Sequence, residues 1–245
     1  MPKQRVDQLL VERGLAESRA KAQALVMAGL VFTGEKRIEK PGQQLSQETA
    51  LDVRGQDHPW VSRGGLKLAH ALEQFGLNPA GRVVLDVGAS TGGFTDVLLA
   101  NGATRVYAVD VGRGQLAWKL QSDSRVVRLD KTNARNLSAE LVPEPVQAIV
   151  CDASFIGLET VLPAALALAA PDCFLVALIK PQFEVGQGRV GKGGIVRDPA
   201  LHEEVCARIR AWLEGLTGWR VLGLSESPIK GAEGNTEFLI AAVYG

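Results

Sequence analysis

Four side chains far apart in the chain have types that could act together in one reaction. They are Lys67, Asp152, Lys180 and Glu237. They stand in Ser-Arg-Gly-Gly-Leu-Lys (62–67), Cys-Asp-Ala-Ser-Phe (151–155), Leu-Ile-Lys-Pro-Gln-Phe-Glu (178–184) and Gly-Asn-Thr-Glu-Phe-Leu (234–239). Each lies at or near the end of a predicted strand or the start of a helix, where an α/β sheet delivers side chains to one crevice. Two lysines beside two carboxylates can fix one amine in place and ease the loss of its proton, which is what deprotonating a hydroxyl requires. A single Lys or Glu at a strand end is usually a solvated surface charge. The set of four on one topology is what points to chemistry.

A second constellation reads as a ligand loop. Val83-Val84-Leu85-Asp86-Val87-Gly88-Ala89-Ser90-Thr91-Gly92-Gly93-Phe94 is an apolar strand running into a glycine-rich turn and a helix. Glycine there lets the backbone approach a ligand, and a helix start offers free N–H groups. The next strand ends at Asp110, 24 positions after Asp86, where an acid can bind the two hydroxyls of an adenosine ribose. The third ends at Asp130, within reach of an adenine amino group. The candidate cofactor-binding residues are Asp86, Gly88, Ala89, Ser90, Thr91, Gly92, Gly93, Phe94, Asp110, Val111, Asp130 and Asp152. A nicotinamide dinucleotide prefers Gly-x-Gly-x-x-Gly, whereas the spacing here is Gly-x-x-x-Gly-Gly. Carboxylates at strand ends favour S-adenosylmethionine, which is cationic at sulfur and has no pyrophosphate. A turn that needs its glycines for conformation alone is the remaining reading.

The elements that must position these residues fall into two groups. Residues 5–14 and 18–29 carry apolar residues at helical spacing, with Ser18 as N-cap, Ala20, Ala22, Ala24, Leu25 and Met27 on one side, and Gly14 and Gly29 as stops. Short β-like pieces follow at 30–33, 36–38 and 49–53. Asp57-His58-Pro59 reads as a linker. Ser62 then caps a predicted helix that ends at Gly76. From 83 onward strands alternate with helices. Strands are expected at 83–87, 105–109, 126–129, 148–151, 174–179, 220–225 and 237–244, and helices at 93–100, 115–121, 158–169 and 199–216. The first five strands make a parallel, doubly wound sheet. The last two are joined by a loop too short for a crossover and must be antiparallel. The expected fold class is α/β, a Rossmann-like methyltransferase fold with a seven-stranded mixed sheet and a small N-terminal α+β unit. The expected division is residues 1–57, a linker at 58–62, and residues 63–245.

Composition excludes several classes. Of 245 residues, 46% are hydrophobic and 22% charged, as in an ordinary globular protein. The 27 basic and 27 acidic residues give no net field that would advertise a polyanion partner. Residues 1–70 hold eleven basic and eight acidic side chains, a mild asymmetry. Cys151, Cys173 and Cys206 are odd in number and widely spaced, which argues against a disulfide framework or zinc site and for a reducing cytoplasm. The N-terminus opens an amphipathic pattern rather than a signal peptide. The most apolar stretch, 161–179, is interrupted by Pro163, Pro171 and Asp172 and reads as helix, turn and buried strand, not as a membrane span.

On these residues the chain resembles a known family. Lys67, Asp152, Lys180 and Glu237 look like the Lys-Asp-Lys-Glu tetrad of FtsJ-type ribose 2′-O-methyltransferases. Val-Ser-Arg-Gly-Gly-Leu-Lys, Asp-Val-Gly-Ala-Ser-Thr-Gly-Gly-Phe-Thr-Asp and Ile-Lys-Pro-Gln-Phe-Glu-Val-Gly look like the TlyA branch, whose members are often labelled hemolysins. Residues 5–54 look like the RNA-binding fold of ribosomal protein S-four. The resemblance implies methyl transfer from S-adenosylmethionine to a ribose 2′-hydroxyl of ribosomal RNA, a cytidine, in the bacterial cytoplasm, on a folded subunit. No motif calls for a metal. A free lysine titrates near pH ~10.4, too high for a base at neutrality. Lys67 and a nearby sulfonium would favour proton loss from Lys180, while Asp152 and Glu237 hold it and limit that effect. Lys180 is therefore the expected proton acceptor or principal orienting group. Arg5, Arg13, Arg19, Lys21, Lys36, Arg37 and Arg63 can meet RNA backbone, as can Arg189, Lys192 and Arg197 on a flexible basic loop after Lys180. A solvated helix face, or for the loop a plain surface segment, accounts for the same cations. Two rival classes are a non-catalytic RNA-binding assembly factor and a membrane-acting hemolysin.

Overall fold

The computed structural model describes residues 3–27, 29–53, 58–186, 188–231 and 234–245. The N-terminal unit pairs β1 (Lys3–Arg5) with β4 (Gln44–Ser46), and β2 (Val31–Thr33) with both β3 (Lys36–Arg37) and β5 (Asp52–Val53), all antiparallel. Helices α1 (Val6–Glu12) and α2 (Arg19–Met27) pack over a core of Val6, Leu10, Ala16, Ala22, Val26, Val31 and Ile38. Gly14 and Gly29 follow the helices in left-handed conformation, as a helix stop requires. Ser18 Oγ accepts from the Lys21 N–H at 3.2 Å, so the expected cap forms. The buried face of α2 is Ala22 and Val26, while Met27 is 79% exposed. The β1–β4 pair was not expected, because Lys3-Gln4-Arg5 has no apolar alternation to signal a strand. Of the expected linker, residue 57 lies outside the described residues.

The larger sheet has seven strands: β6 (Val83–Val87), β7 (Arg105–Val109), β8 (Val126–Leu129), β9 (Val146–Cys151), β10 (Ala169–Ile179), β11 (Trp219–Glu226) and β12 (Phe238–Tyr244). Their order is β11-β12-β10-β9-β6-β7-β8. The five strands from β8 to β10 are parallel, and β12 runs antiparallel to β10 and β11. Both faces are covered, so each strand is apolar on both sides. On β10, Leu175, Ala177 and Ile179 enter one core, and Phe174, Val176 and Leu178 the other. The second core packs under α3 (Gly64–Gln74) and α4 (Gly93–Ala100).

Four expectations are corrected. The helix expected at 115–121 shrinks to α5 (Trp118–Gln121), since Ala117 stands at its N-cap with ψ 142° and gives its N–H to the Thr91 carbonyl instead. The helix expected at 158–169 is cut by Pro163 into α6 (Leu158–Val161) and α7 (Pro163–Leu166). Strand β10 starts at Ala169, five residues early, with a register shift before Phe174 and Asp172 at positive φ. Two further helices complete the chain, α8 (Pro181–Glu184) and α9 (Pro199–Glu214), the latter capped by the Asp198 carboxylate on the Ala200 N–H. Ser62 does not cap α3. Arg63 takes the N-cap place, and Ser62 Oγ lies against Gly93, where a Cβ would overlap it. The order reverses around β6, which has β9 on one side and β7 on the other. An α/β sheet opens its crevice at such a point, beyond the carboxyl ends of the strands.

Candidate active site

Lys67, Asp152, Lys180 and Glu237 meet at that edge, each from a different element. Lys67 is in the first turns of α3, Asp152 follows β9, Lys180 follows β10 and Glu237 precedes β12. Lys67 Nζ donates to Glu237 Oε2 at 2.7 Å and lies 3.6 Å from Asp152 Oδ2. Asp152 Oδ1 lies 2.7 Å from Lys180 Nζ. Lys180 also donates to the Asp152 carbonyl at 3.1 Å and to Ser154 Oγ at 2.9 Å. The order is Glu237, Lys67, Asp152, Lys180, with Asp152 between two ammonium groups. Glu237 thus holds Lys67 rather than Lys180, and Ser154 takes the place expected of it. Ser154 was missed, although it stands two residues after Asp152 in the strand-end string already singled out. Lys67, Lys180 and Glu237 are 8%, 7% and 2% exposed, and burial on this scale is tolerable because every charge has a partner. Gly231 makes room for Glu237: a Cβ there would overlap the carboxylate.

Two cavities share Gly88, Ser90, Asp152 and Ser154. One, about 360 Å³, also contains Lys67, Lys180, Arg63, Thr91, Gly93, Phe94 and, from the N-terminal unit, Glu17 and Lys21. The other, about 420 Å³, is bounded by Val87, Val109, Asp110, Val111, Thr132, Asn133, Ile156 and Val161. Gly88 has φ +83° and presses on the chain at Asp152–Ala153; a Cβ would stand 2.9 Å from Ala153 Cα. Only glycine lets the loop and the Asp152 segment lie so close. The turn is clasped by Asp110, which accepts from the N–H groups of Ser90 (2.8 Å) and Gly112 (2.7 Å) while still facing the larger cavity.

Other expected cofactor residues sit elsewhere. Asp86 lies beneath the loop, fully buried, because strand alternation points it with Val84 toward α4. It accepts from Thr95 Oγ1 at 2.6 Å, and its second oxygen has no partner. Burial pushes its carboxyl up to about 7, against the Thr95 hydrogen bond. Asp130 accepts from the Gly114 N–H and does not border the larger cavity, but lines a small cleft of about 10 Å³ with Ser90, Asp110 and Gly112. Thr132 and Asn133 occupy that end instead, and no strand-end rule marked them. Gly92, at φ +94°, borders neither cavity; it lets Leu116 and Leu120 pack on the start of α4. Ala89 and Val111 do border them, as do Glu17, Lys230 and Phe155, which sequence reasoning missed.

The chemistry of the larger cavity favours a cation. Its charged lining groups are the carboxylates of Asp110 and Asp152, with no lysine or arginine among the described residues. Its volume lies in the range of small-molecule sites. A sulfonium nucleoside fits that lining, whereas a pyrophosphate would meet two carboxylates and, among the described residues, no cation facing the cavity.

The cations expected to meet RNA divide by what they touch. Arg5 and Arg19 are held on Asp7. Arg13 donates to the carbonyls of Thr49 (2.6 Å) and Gln47, bracing the N-terminal unit. Arg189 grips Glu204 on α9 through both NH groups. Lys36, Arg37, Lys192 and Arg197 are exposed. Lys21 and Arg63 face the smaller cavity.

The family model described as FtsJ-like methyltransferase matches residues 60–244, and that described as S4 domain matches residues 4–50. The chain is 49% identical over 237 residues to a Mycobacterium tuberculosis protein named 16S/23S rRNA (cytidine-2′-O)-methyltransferase TlyA, covering 96% of this chain and 88% of that one. It is 39% identical over 236 residues to Hemolysin A of Brachyspira hyodysenteriae, covering 96% and 98%. Among solved structures, a candidate hemolysin from Streptococcus thermophilus matches with TM-score 0.77 and 44% identity, over 100% of this chain and 89% of that one.

Proposed function

The chain belongs to the FtsJ-like methyltransferase family and carries an S4 domain, and from that premise we propose that it methylates a ribose 2′-hydroxyl of ribosomal RNA, a cytidine, with S-adenosylmethionine as donor. The single observation that carries the reading is the run Glu237–Lys67–Asp152–Lys180, which borders the smaller cavity through Lys67, Asp152 and Lys180 and the larger one through Asp152. When bound, S-adenosylmethionine supplies an electrophilic methyl on a leaving group that departs uncharged. The larger cavity would hold it, with Asp110, Val111, Thr132, Asn133 and the bare backbone of Gly88 lining the space.

The protein's remaining work is to orient the 2′-hydroxyl and take its proton. Lys180 is the acceptor or principal orienting group. Asp152 and Ser154 fix its amine at the junction of the cavities. Lys67 places a second positive charge next to Asp152, 3.6 Å from its Oδ2. Glu237 keeps Lys67 in position. The division at residues 57 and 62 is the working domain boundary, with residues 1–57 docking the RNA and 63–245 performing the transfer. A ribosomal RNA substrate places the protein in the cytoplasm. The tetrad is complete, which favours an enzyme over a binding-only assembly factor. Among the described residues no helix is long and apolar enough to cross a membrane.

Lys180→Ala is the test. Methyl transfer to ribosomal subunits from cells lacking the gene should fall at least ~100-fold, the ordinary contribution of a general base, with RNA binding retained. Full methylation by the variant would remove the assignment, and a binding-only protein would show no transfer before or after the change.

A further inference from the structure

The N-terminal unit does more than adjoin the catalytic one. Glu17 and Lys21, from the turn before α2 and its first residues, form part of the same cavity wall as Lys67 and Lys180. Arg63, at the N-cap of α3, borders that cavity from the other unit. Most cations of this chain near the site are already engaged: Lys67 and Lys180 on Asp152, and Lys230 on Glu226 and Thr236. Lys21 and Arg63 are exposed and have no ion-pair partner among the described residues. Two free cations, one from each unit, thus face the chamber where the reacting ribose must sit. A ribose 2′-hydroxyl in RNA has a phosphodiester on the neighbouring 3′ oxygen, so a phosphate enters wherever the hydroxyl does. Phosphate contacts fix register and orientation.

We propose that Lys21 and Arg63 jointly hold a backbone phosphate next to the target ribose, so that the catalytic chamber is completed by the N-terminal unit. Glu17 sets the opposite condition. Its carboxylate shares the wall and repels phosphate, which steers the strand toward Lys21 and Arg63. The inference rests on the reading of the chain as an RNA ribose methyltransferase, and gives the N-terminal unit a direct part in positioning the reacting nucleotide.

The test uses the full chain with tritiated S-adenosylmethionine and ribosomal subunits from cells lacking the gene. Lys21→Gln and Arg63→Gln should each raise KM for subunits about tenfold, as expected for one charge-assisted contact. The double variant should lose less than the product of the two, because both act on one phosphate. Each single change should also flatten the dependence of log affinity on log salt, and the double variant by about 0.7, the share of one single-strand phosphate contact. Glu17→Gln should change KM in the opposite direction. Melting temperature and calorimetric affinity for S-adenosylmethionine should stay at wild-type values in all four variants, which separates positioning from folding. An active wild type with Lys21→Gln unchanged in KM and salt slope overturns the clamp, as does full multiplicativity of the pair or weaker binding by Glu17→Gln. A wild type that transfers no methyl, or a Lys180→Ala variant as active as wild type, removes the underlying reading and is told apart by that control.

Discussion

Among the described residues a carboxylate carrying two cations occurs at Asp7 and at Asp152, with different consequences. Asp7 accepts from Arg5 at 2.8 and 2.9 Å, Arg19 at 3.0 Å and Gln23 at 2.9 Å. Asp152 sits between Lys180 at 2.7 Å and Lys67 at 3.6 Å. At Asp7 the carboxylate is sealed while its arginines reach solvent, with side chains 36% and 54% exposed. Around Asp152 the lysines are the buried partners and the carboxylate faces two cavities. The first arrangement ties α1 to α2 and leaves its cations nothing to do elsewhere. The second confines two amines beside an opening where a ligand can sit. Charge pairing alone does not mark a reactive site; the side of the pair that is sealed, and the presence of a chamber, decide it.

The largest effect should come from Lys67→Met, which strands the buried Glu237 carboxylate. Chemical denaturation should show a loss of about 3–5 kcal/mol, the usual cost of unpairing a buried charge, and methyl transfer should fall with it. A third buried carboxylate, Asp86, has one hydroxyl and no cation, so it supplies the unpaired reference. Its folded pKa of about 7 exceeds the unfolded value of 3.8, so the folded state binds the extra proton between those limits. Stability due to Asp86 is therefore full below pH ~4 and is lost as pH rises through 7. Asp86→Asn should stabilise the protein at pH 8 by up to about 4 kcal/mol and by nothing at pH 4; a pH series of melting curves reads this directly. Asp7→Asn should cost less, about 2 kcal/mol, because its arginines can return to water. Its pH dependence has the other sign. The Arg5 hydrogen bond holds Asp7 far below the usual carboxylate range, outweighing burial. Its contribution is present above pH ~4 and is lost as pH falls through its own lower pKa. Acid unfolding of Asp7→Asn should lack that phase, while methyl transfer at permissive temperature survives.

Much of this was legible in the sequence. Strands β6 to β12 and the four convergent residues follow from apolar runs ending in chemistry-bearing side chains, since a parallel sheet can only present them at one edge. What was not legible depended on pairing at a distance. Arg5 and Arg19 looked free until Asp7, which lies on the inner side of α1, was seen to hold both. Arg189 likewise belongs to Glu204, fifteen residues on. Asp86 was misplaced by proximity to the glycine loop, although period-two alternation with Val84 would have put it inward. Asp130 ended a strand as expected, yet its carboxylate is taken up by the Gly114 N–H and lines only a small cleft beside the larger cavity. Glu17 and Lys21 could not be assigned to the chamber at all, because the approach of the two units is not encoded in any local pattern.

Lys180→Arg offers the most direct measurement, since it keeps the positive charge beside Asp152 but removes an amine able to give up its proton. Single-turnover methyl transfer with bound RNA and saturating S-adenosylmethionine isolates the step. The structure predicts that Lys180→Arg binds both ligands and transfers at a rate at least ~100-fold below wild type. A rate within a few-fold of wild type would mean that a fixed charge at this position suffices, and that Lys180 is not the proton acceptor.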